Sequence, residues 1–124
     1  MSDALLASIL LLTAAMAPAG TSAMSNPLGP CHIVGAEKLP REIGGGAAVC
    51  SAIQRAISAQ APGLNYTVHV EVLSQSSVKA TVDMDGRRLP EQRISVVDRD
   101  LNTRSIERFA NALASEAAKA ARRG

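Results

Sequence analysis

The chain has 124 residues, 13 Lys and Arg against 11 Asp and Glu, and a formal net charge of +2. That length holds one small domain, and that charge is too slight to draw a polyanion. With one Tyr, one Phe and no Trp, the chain lacks the stacking platforms of single-stranded nucleic-acid binders, so no nucleic-acid partner is expected.

From the N-terminus, Ala4 to Ala17 is an apolar run that Pro18 and Gly20 break. Small-residue sites follow at Ala17-Pro18-Ala19 and Thr21-Ser22-Ala23. An apolar core followed by an A-x-A-like site reads as a secretory signal peptide over residues 1–23, cleaved after Ala19 or Ala23. The n-region departs from that pattern, because it carries Asp3 and no Lys or Arg precedes Lys38. The rival reading is an uncleaved inner-membrane anchor through residues 4–23, although the run is short for a span of about 20 residues. A membrane partner is expected only in that case. The Ala-rich composition, with Arg well ahead of Lys, is that of a GC-rich bacterial genome. The chain is therefore expected in the periplasm or outside the cell.

Residues 24–46 are rich in Gly, Pro and small polar residues and read as an irregular segment. Cys31 lies within it and Cys50 beyond it. Two cysteines in an exported chain are expected to form a disulfide, which closes a loop and tethers the segment. Pro30 before Cys31 does not fit a lipobox. A metal site from Cys31, His32 and Cys50 lacks a fourth ligand, and adjacent Cys and His seldom face one ion, so neither a metal nor another cofactor is expected. Gly44-Gly45-Gly46 lacks the Lys-Ser/Thr ending of a phosphate loop and reads as a helix entry.

A first helix is predicted over about 47–59, with Val49, Ala52, Ile53, Ala56 and Ile57 on one stripe and Ala61-Pro62-Gly63 as its stop. A three-stranded antiparallel meander follows. Tyr66, Val68, Val70 and Val72 alternate with Thr67, His69 and Glu71; Val78, Ala80, Val82 and Met84 alternate with Lys79, Thr81 and Asp83. A loop of Ser74-Gln75-Ser76 sets Val72 opposite Val78, Val70 opposite Ala80, Val68 opposite Val82 and Glu71 opposite Lys79, whereas a slip of one residue would put valines opposite charges. Asp85-Gly86 is a two-residue hairpin signal that sets Asp83 opposite Arg88. Carrying that register on would put Arg93 against Val78. One extra residue near Pro90-Glu91 repairs it and brings Ile94 opposite Val78. A last helix begins after Asn102 or Thr103 and carries Ile106, Phe109, Ala110, Leu113, Ala117 and Ala120 on its apolar stripe.

The expected fold is α+β: a two-layer α-β-β-β-α domain over residues 47–124, both helices packed on one face of the meander, preceded by the apolar signal helix. The other face would carry Thr67, His69, Glu71, Lys79, Thr81, Asp83, Arg88, Arg93, Ser95 and Val97, of which Thr67, His69, Glu71, Lys79, Thr81, Asp83 and Arg93 form a candidate binding face for another protein. No catalytic constellation is legible. His69 has no marked nucleophile, Ser74, Ser76 and Ser77 belong to a turn, and Asp98 and Asp100 belong to a helix lead-in. The reading is a small exported non-catalytic binding or adaptor module that contacts another envelope protein. The alternatives are a small envelope enzyme or thiol-redox protein using Cys31 and Cys50, and a membrane-anchored subunit. An intact-mass measurement on the protein from its own host separates these readings. Cleavage after Ala19 or Ala23 and a mass two hydrogens below the dithiol form are expected; an intact N-terminus would establish the anchored form.

Overall fold

A computed structural model describes residues 29–123; the signal-peptide reading of residues 1–23 lies outside them. The elements run β1 (Cys31–Val34), two single 3-10 turns (Ala36–Lys38 and Arg41–Ile43), α1 (Gly45–Gln60), β2 (Tyr66–Ser74), β3 (Ser77–Met84), β4 (Arg87–Arg88), β5 (Gln92–Ser95) and α2 (Thr103–Arg122). The class is α+β, with two helices on one sheet. Among the described residues no helix is long and apolar enough to cross a membrane.

The hairpin follows from the alternation. Val72 pairs with Val78, Val70 with Ala80, Val68 with Val82 and Glu71 with Lys79. The β2–β3 turn is one residue tighter than the expected Ser74-Gln75-Ser76 loop: Ser74 pairs with Ser77, and the register shifts between Val72 and Ser74. The Ser74 hydroxyl accepts the Ser76 N–H at 3.1 Å, closing the turn locally. At the second turn Asp85 and Gly86 have φ of 50° and 77°, the left-handed pair that a two-residue hairpin demands. Asp83 pairs with Arg88, Val78 with Ile94 and Ala80 with Gln92. One extra residue is thus accommodated at Pro90-Glu91, and it splits the third strand of the meander into β4 and β5. Proline donates nothing to a ladder, so the break falls where the donor is missing.

The sheet is mixed rather than purely antiparallel, which corrects the meander-only reading. β1 pairs parallel with β2, with Cys31 opposite Val68, His32 opposite His69, Ile33 opposite Val70 and Val34 opposite Glu71. This strand lies in the segment expected to be irregular. Its four residues alternate half-buried and exposed, which is strand patterning in a run too short to stand out between Pro30 and Gly35. A parallel partner needs a crossover, and α1 is that crossover. The element order is therefore β-α-β-β-β-α, with the interrupted last strand counted once.

Both helices cover the same sheet face. Val49, Ile53 and Ile57 from α1 and Ile106, Phe109, Leu113, Ala114 and Ala117 from α2 join Tyr66, Val68, Val70, Val72, Val78, Ala80, Val82 and Met84 in one buried cluster. Leu101, absent from the predicted stripe, is fully buried; its N–H donates to Gln75 O at 2.8 Å and ties the lead-in of α2 to the first hairpin turn. Asn102 caps α2 by accepting the Ser105 N–H at 2.8 Å, and Ser105 Oγ accepts the Asn102 N–H at 2.8 Å. Gly46 lets α1 approach β1: an added Cβ would sit 3.0 Å from Ile33 Cγ2 and 3.1 Å from Ala36 Cβ.

The disulfide joins Cys31 of β1 to Cys50 of α1, with Cα atoms 5.8 Å apart, an ordinary spacing for the bond. It therefore ties the edge strand to the crossover helix. In urea unfolding, Cys31→Ser with Cys50→Ser is expected to lower stability by about 3 kcal/mol, the chain-entropy contribution of a loop of this length. An unchanged unfolding midpoint would show that the bond constrains nothing in the unfolded chain.

Candidate functional site

The open sheet face is built by the outward half of the alternation. Read across the strands, one row is His32, His69 and Thr81, the next is Val34, Glu71, Lys79 and Arg93, and a third begins with Thr67 and Asp83. All seven residues of the candidate binding face lie on it. Arg88 of β4 lies beside Asp83 as expected, and β1 adds His32 and Val34, which the sequence reading did not place. Val34 is 67% exposed, an unusual setting for an aliphatic side chain in a strand.

The charges on this face are arranged in two groups. Lys79 Nζ lies 3.5 Å from Glu71 Oε1 and 3.7 Å from Glu91 Oε1. At the other end Arg88 donates from Nε to Asp83 Oδ1 at 2.7 Å and from Nη2 to Asp83 Oδ2 at 3.0 Å. His69 Nε2 meets the same Oδ2 at 3.2 Å. The hydrogen bonds from Arg88 come first in holding the Asp83 carboxyl below the usual carboxylate range; desolvation, the next largest effect, opposes them, and the charge of Arg88 and the contact with His69 add to the lowering. An ionised carboxylate only accepts, so His69 Nε2 carries the proton in this contact.

The chain's two histidines stack, with ring centroids 5.5 Å apart and planes inclined by 24°. Imidazole lone pairs lie in the ring plane, so two rings placed face to face do not aim at one point between them. Among the described residues no three His, Cys, Asp or Glu side chains are grouped to hold a metal ion. The turn serines bond to one another: Ser74 Oγ to Ser76 Oγ at 3.3 Å, and Ser77 Oγ to Ser95 Oγ at 3.0 Å. Among the described residues no serine or threonine hydroxyl is hydrogen-bonded to His69, although Thr81 lies opposite it across the strands.

Between the two charged groups lies a hollow of about 350 Å³, lined by Val34, His69, Glu71, Lys79, Thr81 and Glu91. It combines an aliphatic wall, a hydroxyl and an imidazole with a lysine held between two carboxylates. The signal that could have found β1 was the alternation Cys31-His32-Ile33-Val34, which sets two apolar side chains inward and two side chains outward. Compared with known proteins, the chain matches no family model, no curated protein and no solved structure.

The Asp83 contacts give a sign to the pH dependence. Its folded-state pKa is depressed, so its contribution is present above the unfolded carboxylate pKa and is lost as pH falls through the folded one. Urea unfolding of wild type and Asp83→Asn from neutral to acid pH should show a small constant gap near neutrality that closes in acid. A gap independent of pH would contradict the assignment.

Proposed function

We propose that the chain is a small exported binding module that meets another envelope protein across the open face of its sheet. The carrying observation is the asymmetry of the two layers. The helices cover one face only, and the other presents a hollow of about 350 Å³ beside an exposed Val34. The charges around it are already paired, so the side chains are held in place before a partner arrives, which reduces the ordering cost of association. A disulfide is compatible with an oxidising compartment outside the cytoplasm.

The test is positional. A photo-reactive residue is placed at Thr81 on the open face or at Asn111 on the exposed side of α2, in the chain expressed in its own host. The expected result is a discrete adduct in the envelope or culture fraction from position 81, none from position 111, and loss of that adduct when Glu71→Arg and Lys79→Glu are added. Equal labelling from both positions, or none from position 81, would overturn the reading.

A further inference from the structure

The hollow on the open sheet face has a charge asymmetry that selects the kind of side chain it takes. The two ends of the face treat their carboxylates differently. Asp83 is saturated: Arg88 supplies hydrogen bonds at 2.7 and 3.0 Å, and His69 a further contact at 3.2 Å. Glu71 and Glu91 share one ammonium, Lys79 Nζ, at 3.5 and 3.7 Å, both beyond the usual length of a charge-assisted hydrogen bond. Lys79 thus holds both in place without saturating either. The lining of the hollow sets two carboxylates against one ammonium. Arg93, opposite Lys79 across the strands, does not line the hollow and forms no ion pair among the described residues.

Exposure sharpens the asymmetry. The Glu71 and Glu91 side chains are 51% and 46% exposed, and that of Lys79 is 29% exposed. The ammonium lies deeper and the carboxylates form the rim, so the mouth of the hollow presents negative charge to an approaching partner. The exposed Val34 stands beside them as an aliphatic wall, which gains by being covered. A side chain that suits all of these is cationic at its tip and apolar along its stem, and arginine is built that way. Its planar guanidinium carries five N–H donors, enough to serve both rim carboxylates at once, whereas an ammonium would repeat the point charge already there. With a guanidinium in place two carboxylates meet two cations, and the hollow is neutral.

We propose that the hollow receives an arginine side chain of the partner protein, with its guanidinium between Glu71 and Glu91 and its methylenes against Val34. The inference rests on the binding-module reading and names the chemistry that the partner brings to the face.

The oxidised chain is titrated at low salt with capped tripeptides that place arginine, lysine or citrulline between two alanines, following NMR signals. Citrulline keeps the shape of arginine and lacks its charge. The expected result is saturable shifts at Val34, His69, Glu71, Lys79, Thr81 and Glu91 with the arginine peptide, a weaker response to lysine and none to citrulline. Affinity for the arginine peptide should fall about threefold or more in Glu91→Gln, the loss of one ion pair at a partly exposed site, and stay unchanged in Glu107→Gln on α2. Equal responses to arginine and citrulline, equal affinity for lysine, or no saturable response at tens of millimolar would overturn the proposal. The peptide comparison on wild type needs no variant to fold. An adduct from position 81 in the host without a response to the arginine peptide would remove the arginine and keep the binding face; no adduct from position 81 would remove both.

Discussion

The structure depends on a core assembled from small side chains. With one Phe, one Tyr and no Trp in the chain, apolar burial comes from many valines, isoleucines and alanines, each worth about 1–3 kcal/mol or less when fully buried. Such a core works only if every inward position of β2 and β3 points to the helices together. A slip of one residue would exchange Val68, Val70 and Val72 for Thr67, His69 and Glu71. The cross-strand pairing of Val72 with Val78 and of Val68 with Val82 is therefore the constraint from which the helix positions follow. Phe109, the one large aromatic ring on α2, is buried in the same cluster.

Where the period was long enough to count, the fold could be read from residues. The first eight residues of β2, Tyr66 to Leu73, and all eight of β3 alternate without fault, and Asp85-Gly86 fixes how the next strand returns. The break at Pro90-Glu91 was legible because charge and proline together forbid continuous pairing. β1 was not legible, since four residues between Pro30 and Gly35 give only two periods. Its pairing also depends on a residue contact across the whole of α1, which no local pattern encodes. Leu101 escaped for the opposite reason: a single apolar residue in a polar lead-in has no period, and a backbone bond to Gln75 decides its burial.

The candidate site divides along the same line. Glu71 with Lys79 and Asp83 with Arg88 follow from the hairpin registers, so their pairing could be read before any coordinates. His32 and Val34 could not, because they reach the face only through β1. Electrostatics then separates two kinds of surface on one small molecule. On the sheet face opposite charges pair across strands, and the surface is nearly balanced. Around the start of α2, Arg99, Arg104 and Arg108 alternate with Asp98, Asp100 and Glu107 along the chain, and among the described residues none of them forms an ion pair. A net charge of +2 averages these regions and conceals both.

The cystine between β1 and α1 has a consequence for when the sheet face exists. The β2–β3 ribbon is closed by a tight turn, but β1 can reach β2 only by bringing the chain around the crossover helix, a contact with a large loop-closure cost. Covalent oxidation holds that distant edge against the helix beneath it. The stacked imidazoles and the aliphatic rim at Val34 are carried by the strand that this bond secures, a tether compatible with an oxidising compartment.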